Sequence, residues 1–311
     1  MTTSDVGISS APGRAPNASV AERLRADGGA VVGIVLIVVF VLAAVLAPLL
    51  VRLSGHDPYD YDLAALSGTG APAGVLGGIS ADHWFGVEPL TGRDLFAVVV
   101  YGARTSILVG LLATVVSVVL GVAVGLVSGY AGGWTDRLLS RTTDVVFGFP
   151  GLIFMIALGA IAPRWLPKSA LIVLVIGFFG WPPIARVVRG QTLLLKERNY
   201  VVASRAAGAG AAHIVLRQIL PNLTATIIVF ATISIPGKIG AEAALSFLGV
   251  GVPPPTPAWG RSIGEAISWV QTDPMFLIFP GAALFLITLA FNLFGDGLRD
   301  ALDPRSASLR R

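Results

Sequence analysis

The chain has 311 residues, 54% of them hydrophobic and only 13% charged, with a mean hydropathy of +0.79. Soluble domains carry about a quarter charged residues, so this composition describes an integral membrane protein. With no cysteine it excludes disulfides, thiolate metal sites and cysteine nucleophiles; the isoelectric point near 9.8 is read from where the charges lie, not as a nucleic-acid signal.

Residues 1–17 are rich in Ser, Thr, Ala, Gly and Pro and are predicted to be a disordered tail. A short interfacial helix is expected over 20–27 (VAERLRAD). Residues 30–50 form an uninterrupted apolar run of about the length that spans a bilayer. A cleaved signal would have a shorter apolar core followed by a small-residue cleavage site, so the run reads as a retained first transmembrane helix. The chain then divides into a tail (1–28), this helix (29–53), a polar loop (54–97), a core of about five further helices (98–296) and a C-terminal tail (297–311).

The polar loop holds Asp57, Asp60, Asp62, Asp82, Glu88 and Asp94. The second span is expected at 106–127, where Gly121, Gly125 and Gly129 recur at every fourth position and give a smooth face for close approach of another helix. A short loop with Trp134, Arg137 and Arg141 follows at 129–141. Further spans are expected at 145–162, 170–188, 223–247 and 276–294, about six in all. Pro150, Pro182, Pro183, Pro236 and Pro280 fall in four successive spans. Proline in a bilayer helix requires neighbours or a cavity to satisfy the freed carbonyls, which favours a bundle around a pathway over a simple anchor.

Between the fourth and fifth spans lies a polar island, 196–221, containing YVVASRAAGAGAAHIVLRQILP with Arg205, His213, Arg217 and Gln218. A helix is predicted over 201–207, a turn at Gly208 and Gly210, and a second helix over 211–220 closed by Pro221. A helical hairpin of this size suits docking to a soluble partner. With the N-terminus inside, 15 of the 22 Lys and Arg residues fall on one side and 7 on the other. The excess marks the cytoplasm: both termini and the hairpin are expected inside, the acidic loop outside.

Catalytic chemistry is hard to find. Gly237-Lys238 is followed by Ile239 and lacks the first glycine of a phosphate-binding loop, so the chain is not expected to hydrolyse ATP. His56, His83 and His213 have no ligand-type spacing, and neither a metal nor a cofactor is expected. Intramembrane charges are few: Lys238 and Glu242, expected to share a helix face as an ion pair, and Asp296. Thr232, Ser234, Lys238, Glu242 and Asn292 are the candidates for lining a pathway.

These residues match a known family. The hairpin resembles the EAA loop of permease subunits of bacterial ABC importers, in which a Glu-Ala-Ala triplet is followed by Gly four residues after its last Ala, and the hairpin ends in Leu-Pro. Here Val202, Ala203 and Ser204, then Gly208, then Leu220-Pro221 correspond, with valine in the glutamate position. EAALSFLGVGVPPPTPAWG (242–260), GRDLFAVVVYGARTS (92–106), FNLFGDGLRDALDPR (291–305), and Gly180-Trp181-Pro182 with RVVRGQ (186–191) resemble the peptide/nickel branch, above all the second, C-type permease of dipeptide and oligopeptide importers.

The resemblance implies an all-α polytopic protein of the type I ABC importer permease fold. It implies a homologous second permease, two cytoplasmic ATPase subunits, an extracytoplasmic substrate-binding protein and a peptide as substrate, with nickel or another small solute as the alternative cargo. Val202, Ala203, Ser204, Arg205, Ala207, Gly208, His213, Arg217 and Pro221 would then form the ATPase-docking hairpin, with Ala206 also permitting close approach. An ion-coupled carrier or channel would need a relay of membrane charges that this sequence lacks.

Overall fold

A computed structural model describes residues 19–161 and 167–302. The predicted disordered tail at 1–17 lies outside the described residues, as do the end of the third predicted span and the last residues of the C-terminal tail. Every regular element among the described residues is helical.

Helix α1 (Val20–Arg25) opens on a capping box: the Glu22 N–H donates to Ser19 Oγ at 3.3 Å, and the Ser19 N–H donates to Glu22 Oε2 at 2.8 Å. The predicted first span is two helices, α2 (Gly28–Val45) and α3 (Ala47–Ser54), with the break at Leu46. Pro48 explains the break. It offers no N–H to the carbonyl of Ala44, and its ring would collide with that carbonyl in a continuous helix.

After the polar loop, α4 (Leu95–Ala131) runs for 37 residues, about 55 Å at the usual helical rise and well beyond a hydrocarbon core. It begins a full three turns before the predicted second span, because Asp94 caps it by accepting the Ala97 N–H at 2.8 Å. The predicted loop at 129–141 is instead a helical corner. Gly132 and Gly133 adopt φ +67° and +55°, and α5 (Gly133–Gly148) follows at once. Pro150 then separates α5 from α6 (Gly151–Ile161), and the pair is bent by 77°.

The remaining helices are α7 (Lys168–Phe179), α8 (Trp181–Leu195), α9 (Asn199–Ala206), α10 (Ala211–Ile214), α11 (Leu220–Phe247), α12 (Trp259–Ala266) and α13 (Met275–Leu302). Among the described residues, five segments are long and apolar enough to cross a membrane: Gly28–Val45, Leu95–Ala131, Lys168–Leu195, Ala211–Phe247 and Met275–Leu302; the bent α5–α6 pair makes a sixth if it counts as one span. The last segment extends to Leu302, so the tail predicted from 297 begins as helix.

Helix α4 is the axis of the bundle, packed along α8, α7 and α11. Its glycine face is where α8 lies. A methyl group built on Gly121, Gly125 or Gly129 would stand 2.7 Å from the β-carbon of Ile184, Val188 or Thr192, and 2.8–2.9 Å from the carbonyl oxygen of Trp181, Ala185 or Arg189. Only hydrogen on the α-carbon leaves room for that approach. In lipid, where apolar burial between helices adds little, such van der Waals contact is what holds helices together. Gly33 does the same on α2, against the backbone of Ala290 and Phe294 in α13.

At the corner, Arg189 of α8 forks onto Asp136 of α5 at 2.6 and 2.7 Å. The same carboxylate accepts the hydroxyls of Ser128 and Ser140. Lys196 donates to the carbonyl of Gly129 at 3.0 Å, near the C-terminus of α4.

Gly125→Val is expected to destabilise the protein by about 1–3 kcal/mol through overpacking, measured by thermal denaturation of the purified protein in detergent. Gly190→Ala on α8, where an added methyl meets nothing within 4 Å, should instead raise the transition slightly, by the roughly 0.5–1 kcal/mol that glycine costs a helix interior.

Candidate functional site

The hairpin between the fourth and fifth spans is built by one glycine. Gly208 takes φ +86°, the left-handed conformation that a side chain disfavours. Its N–H bonds the carbonyl of Arg205 at 3.0 Å, and the next N–H, of Ala209, bonds that of Ser204 at 3.0 Å. This pair of bonds is a Schellman closure, which satisfies the last carbonyls of α9 and reverses the chain. Gly210 then serves as N-cap of α10 in extended conformation.

The second arm does not end at Pro221. From α10 the chain enters a π-helical turn, Val215–Ile219, in which the Leu220 N–H bonds the carbonyl of Val215, and it continues as α11. Pro221 sits in the first turn of α11, where its missing N–H costs little, and the widened turn before it relieves the ring clash expected in a regular helix. The result is one helical segment, Ala211–Phe247. The second arm of the hairpin and the fifth span are therefore parts of one continuous helical segment.

Apolar residues seat the hairpin on the bundle. Val201, Ile214 and Ile219 are fully buried, clustered with Leu126 of α4, Ile184 and Val188 of α8, and Leu223 of α11. Gln218 crosses between the arms to donate to Ser204 Oγ at 2.6 Å. The opposite face is open: Val202 is 47% exposed, and Ala203, Arg205, Ala206, Ala207, Gly208, His213, Arg217 and Pro221 are exposed with it. The Arg205 guanidinium lies 5.9 Å from the centre of the Tyr130 ring. Of the predicted docking residues, only Ser204 is turned inward, as a link between the arms.

Between α4, α5 and α8 lies a cleft of about 410 Å³ lined by Ser128, Ser140, Thr143, Asp144, Arg186 and Arg189. Its charges are paired, Arg186 with Asp144 at 2.8 Å and Arg189 with Asp136. Sequence spacing gave no sign of this cleft, because it depends on the corner at Gly132.

The predicted pathway residues lie on α11 and α13. Thr232 is buried and bonds the carbonyl of Ile228, and Ser234 bonds that of Ala231, so both are satisfied within α11. Asn292 is exposed on α13. The expected Lys238–Glu242 ion pair does not form. Glu242 is fully buried and accepts hydroxyls from Ser106 of α4 at 2.8 Å and from Ser246 at 2.7 Å. Lys238 instead reaches toward Gly180, at the junction of α7 and α8, where only a glycine leaves space for its amine. Four residues of separation allow contact along a helix but do not compel it when each side chain faces a different neighbour.

Ser106 and Ser246 had a signal in the sequence, since each lies in one of the segments that carry the family resemblance. The two segments interlock. Besides Ser106–Glu242, Trp259 Nε1 donates to the carbonyl of Val99 at 2.8 Å, and Arg93 donates to the carbonyl of Pro255 at 2.9 Å while pairing with buried Glu88 at 2.6 Å. Nearby, Asp273 caps α13 through the N–H groups of Met275 and Phe276, and burial pushes its carboxyl above the usual range. His56 and His83, far apart in sequence, stack with ring centres 4.2 Å apart.

With this architecture in view, residues 118–308 match the family described as the binding-protein-dependent transport system inner membrane component. The chain belongs to that family. Residues 17–70 further match the N-terminal transmembrane domain of oligopeptide transport permease C, and the chain is accordingly a multi-pass ABC importer permease of the C type. It is 41% identical over 283 residues to the glutathione transport system permease protein GsiD of Shigella flexneri serotype 5b (strain 8401), covering 91% of this chain and 88% of that one. To the protein of the same name from Escherichia coli O6:K15:H31 (strain 536 / UPEC) it is 39% identical with the same coverage. The fold is similar to that in the inward-facing MetNI methionine ABC transporter, with a TM-score of 0.54 at 21% identity, covering 67% of this chain and 98% of that one.

If Lys238 and Glu242 act separately, Lys238→Met and Glu242→Gln should destabilise additively, the double variant falling within about 0.5 kcal/mol of the sum. Denaturation of the four proteins of the cycle measures it.

Proposed function

We propose that this permease forms half of the translocation pathway of an ATP-driven importer of small peptides, and that the hairpin at 196–221 is its coupling element. The observation that carries the reading is the continuity of the exposed hairpin with a membrane-length helix, Ala211–Phe247. A displacement of the second arm is delivered to the fifth span without an intervening loop. Relatives named for glutathione transport support a short peptide as cargo.

In this reading a homologous permease supplies the other half of the pathway, an extracytoplasmic binding protein delivers the peptide, and two ATPase subunits hydrolyse ATP on the cytoplasmic side. The chain itself catalyses nothing. Val202, Ala203, Arg205, Ala206, Ala207 and His213 face the ATPase: the alanines permit close approach, Val202 offers apolar surface, and Arg205 meets acidic groups. Gln218 and Ser204 keep the arms together, so closure of the ATPase pair moves the hairpin and its helix as a rigid body. Valine at 202 makes the docking contact apolar where the family pattern has glutamate. In this reading both termini lie in the cytoplasm and the 54–97 loop outside, which the 15-to-7 division of basic residues supports.

Reconstitution in liposomes with the sister permease, the ATPases and the binding protein tests the activity, read as ATP-dependent uptake of labelled dipeptide and glutathione. Gly208→Val forces a β-branched residue into the left-handed region, at a cost of about 1–2 kcal/mol. It should leave membrane insertion intact, weaken ATPase co-purification and abolish uptake; normal assembly and normal uptake would reject the coupling role. The absence of cysteine makes orientation directly measurable. A cysteine replacing His213 should react with an impermeant maleimide only in inverted vesicles, and one replacing Asp60 only in intact cells.

A further inference from the structure

At the end of the bundle opposite the hairpin, three metal-capable side chains, His56, His83 and Asp94, converge from separate parts of the polar loop, with Asp62 at the other ring nitrogen of His83. His56 follows α3, Asp62 caps the short 3-10 turn at Leu63–Ala65, His83 lies further along the loop and Asp94 caps α4. One donor atom from each of His56, His83 and Asp94 lies within 4.8 Å of the others. His83 Nδ1 is 2.9 Å from Asp94 Oδ2, and His83 Nε2 is 3.6 Å from Asp62 Oδ2.

The donors differ in how firmly they are held. Asp94 is buried and fixed by its other oxygen, which accepts the Ala97 N–H at 2.8 Å. His83 is buried, and its backbone N–H is held by Ser80 Oγ at 3.0 Å. His56 is only partly buried and rests its ring against that of His83, while the Asp62 side chain is 43% exposed. His83 and Asp94 are therefore pre-positioned, and His56 lies on the solvent side of them.

Tetrahedral sites with metal–ligand bonds of about 2.0–2.2 Å place their donors roughly 3.3–3.6 Å apart, longer than the 2.9 Å His83–Asp94 contact and inside the 4.8 Å that bounds the three donors. Rotation of the partly buried His56 ring out of its stack with His83 adjusts the spacing. Two imidazoles with a carboxylate suit zinc or copper, whereas magnesium and calcium call for all-oxygen shells.

We propose that His56, His83 through Nδ1, and Asp94 bind a divalent transition-metal ion, with water as the fourth donor and Asp62 facing the other ring nitrogen of His83. The ion would fasten the segment after α3 to the N-terminus of α4, the axis of the bundle. This site is separate from the coupling hairpin and does not depend on the cargo.

The test uses the full chain without a histidine tag, in lipid nanodiscs. Calorimetry with zinc chloride near neutral pH should give one ion per chain at micromolar or tighter affinity, and His56→Ala and His83→Gln should each weaken it at least about tenfold. Electron paramagnetic resonance of the copper-loaded protein should report two nitrogen ligands, falling to one in His56→Ala. Because His56 is partly exposed, that variant keeps the loop's packing, and an unchanged thermal transition without metal verifies this. Absence of saturable zinc binding, or a His56→Ala protein with wild-type affinity and two copper-bound nitrogens, would overturn the proposal and leave the His83–Asp94 contact as a loop staple.

Discussion

The fold depends on how closely α4 and α8 approach. In water, apolar surface drives helices together; in a bilayer the lipid chains are as apolar as the side chains, and association rests on contact at short range. Gly121, Gly125 and Gly129 supply it by letting the backbone of α8 lie directly on α4, with Ile184, Val188 and Thr192 filling the notches. At that distance α-carbon hydrogens face the carbonyls of Trp181, Ala185 and Arg189, adding weak polar attraction to dispersion. The hairpin inherits its position from this contact, because the residues that seat it, Leu126, Ile184 and Val188, belong to the same two helices.

The other end of the bundle is held by polar contacts. Arg93, Glu88, Glu242 and Trp259 tie the N-terminal turns of α4 to α11 and to the segment around α12 through buried hydrogen bonds. A buried charge without a partner is costly, so such contacts restrict the register in which these segments can meet. Gly102 lies under the Trp259 ring with no room for a side chain, and Phe40 of α2 packs edge-on to the same indole at 5.9 Å. The first span is thereby included in the arrangement.

The number of spans, the glycine face and the hairpin were legible in the sequence because each rests on a local property: apolar length, a four-residue period, and glycine where the backbone must reverse. The breaks were harder to foresee. Pro48 splits the first span and Pro221 does not end the second arm, although both are prolines near helix ends. The difference is the π-helical turn at Val215–Ile219, which no pattern of residue types announces. Partners of buried polar groups were the least legible. Lys238 and Glu242 have the spacing of a pair, yet Ser106, from a helix more than a hundred residues away, takes the carboxylate. Likewise His56, His83 and Asp94 have no motif spacing, and only the folding of the 54–97 loop brings them together.

The hairpin shows why its shape is more constrained than its charge. Its turn needs a left-handed residue at 208, its seat needs apolar side chains at 201, 214 and 219, and its arms are joined by Ser204 and Gln218. The exposed positions carry no such internal obligation. A valine at 202 is therefore compatible with the whole structure even where the family pattern has glutamate: its side chain is nearly half exposed, and its identity is set by what docks there rather than by the fold. The same logic explains why helical continuity matters more than any one contact. A helical segment continuous from Ala211 to Phe247 transmits displacement, whereas a loop at Pro221 would absorb it, and the π-helical turn is the device that lets a proline sit at that junction without creating the loop.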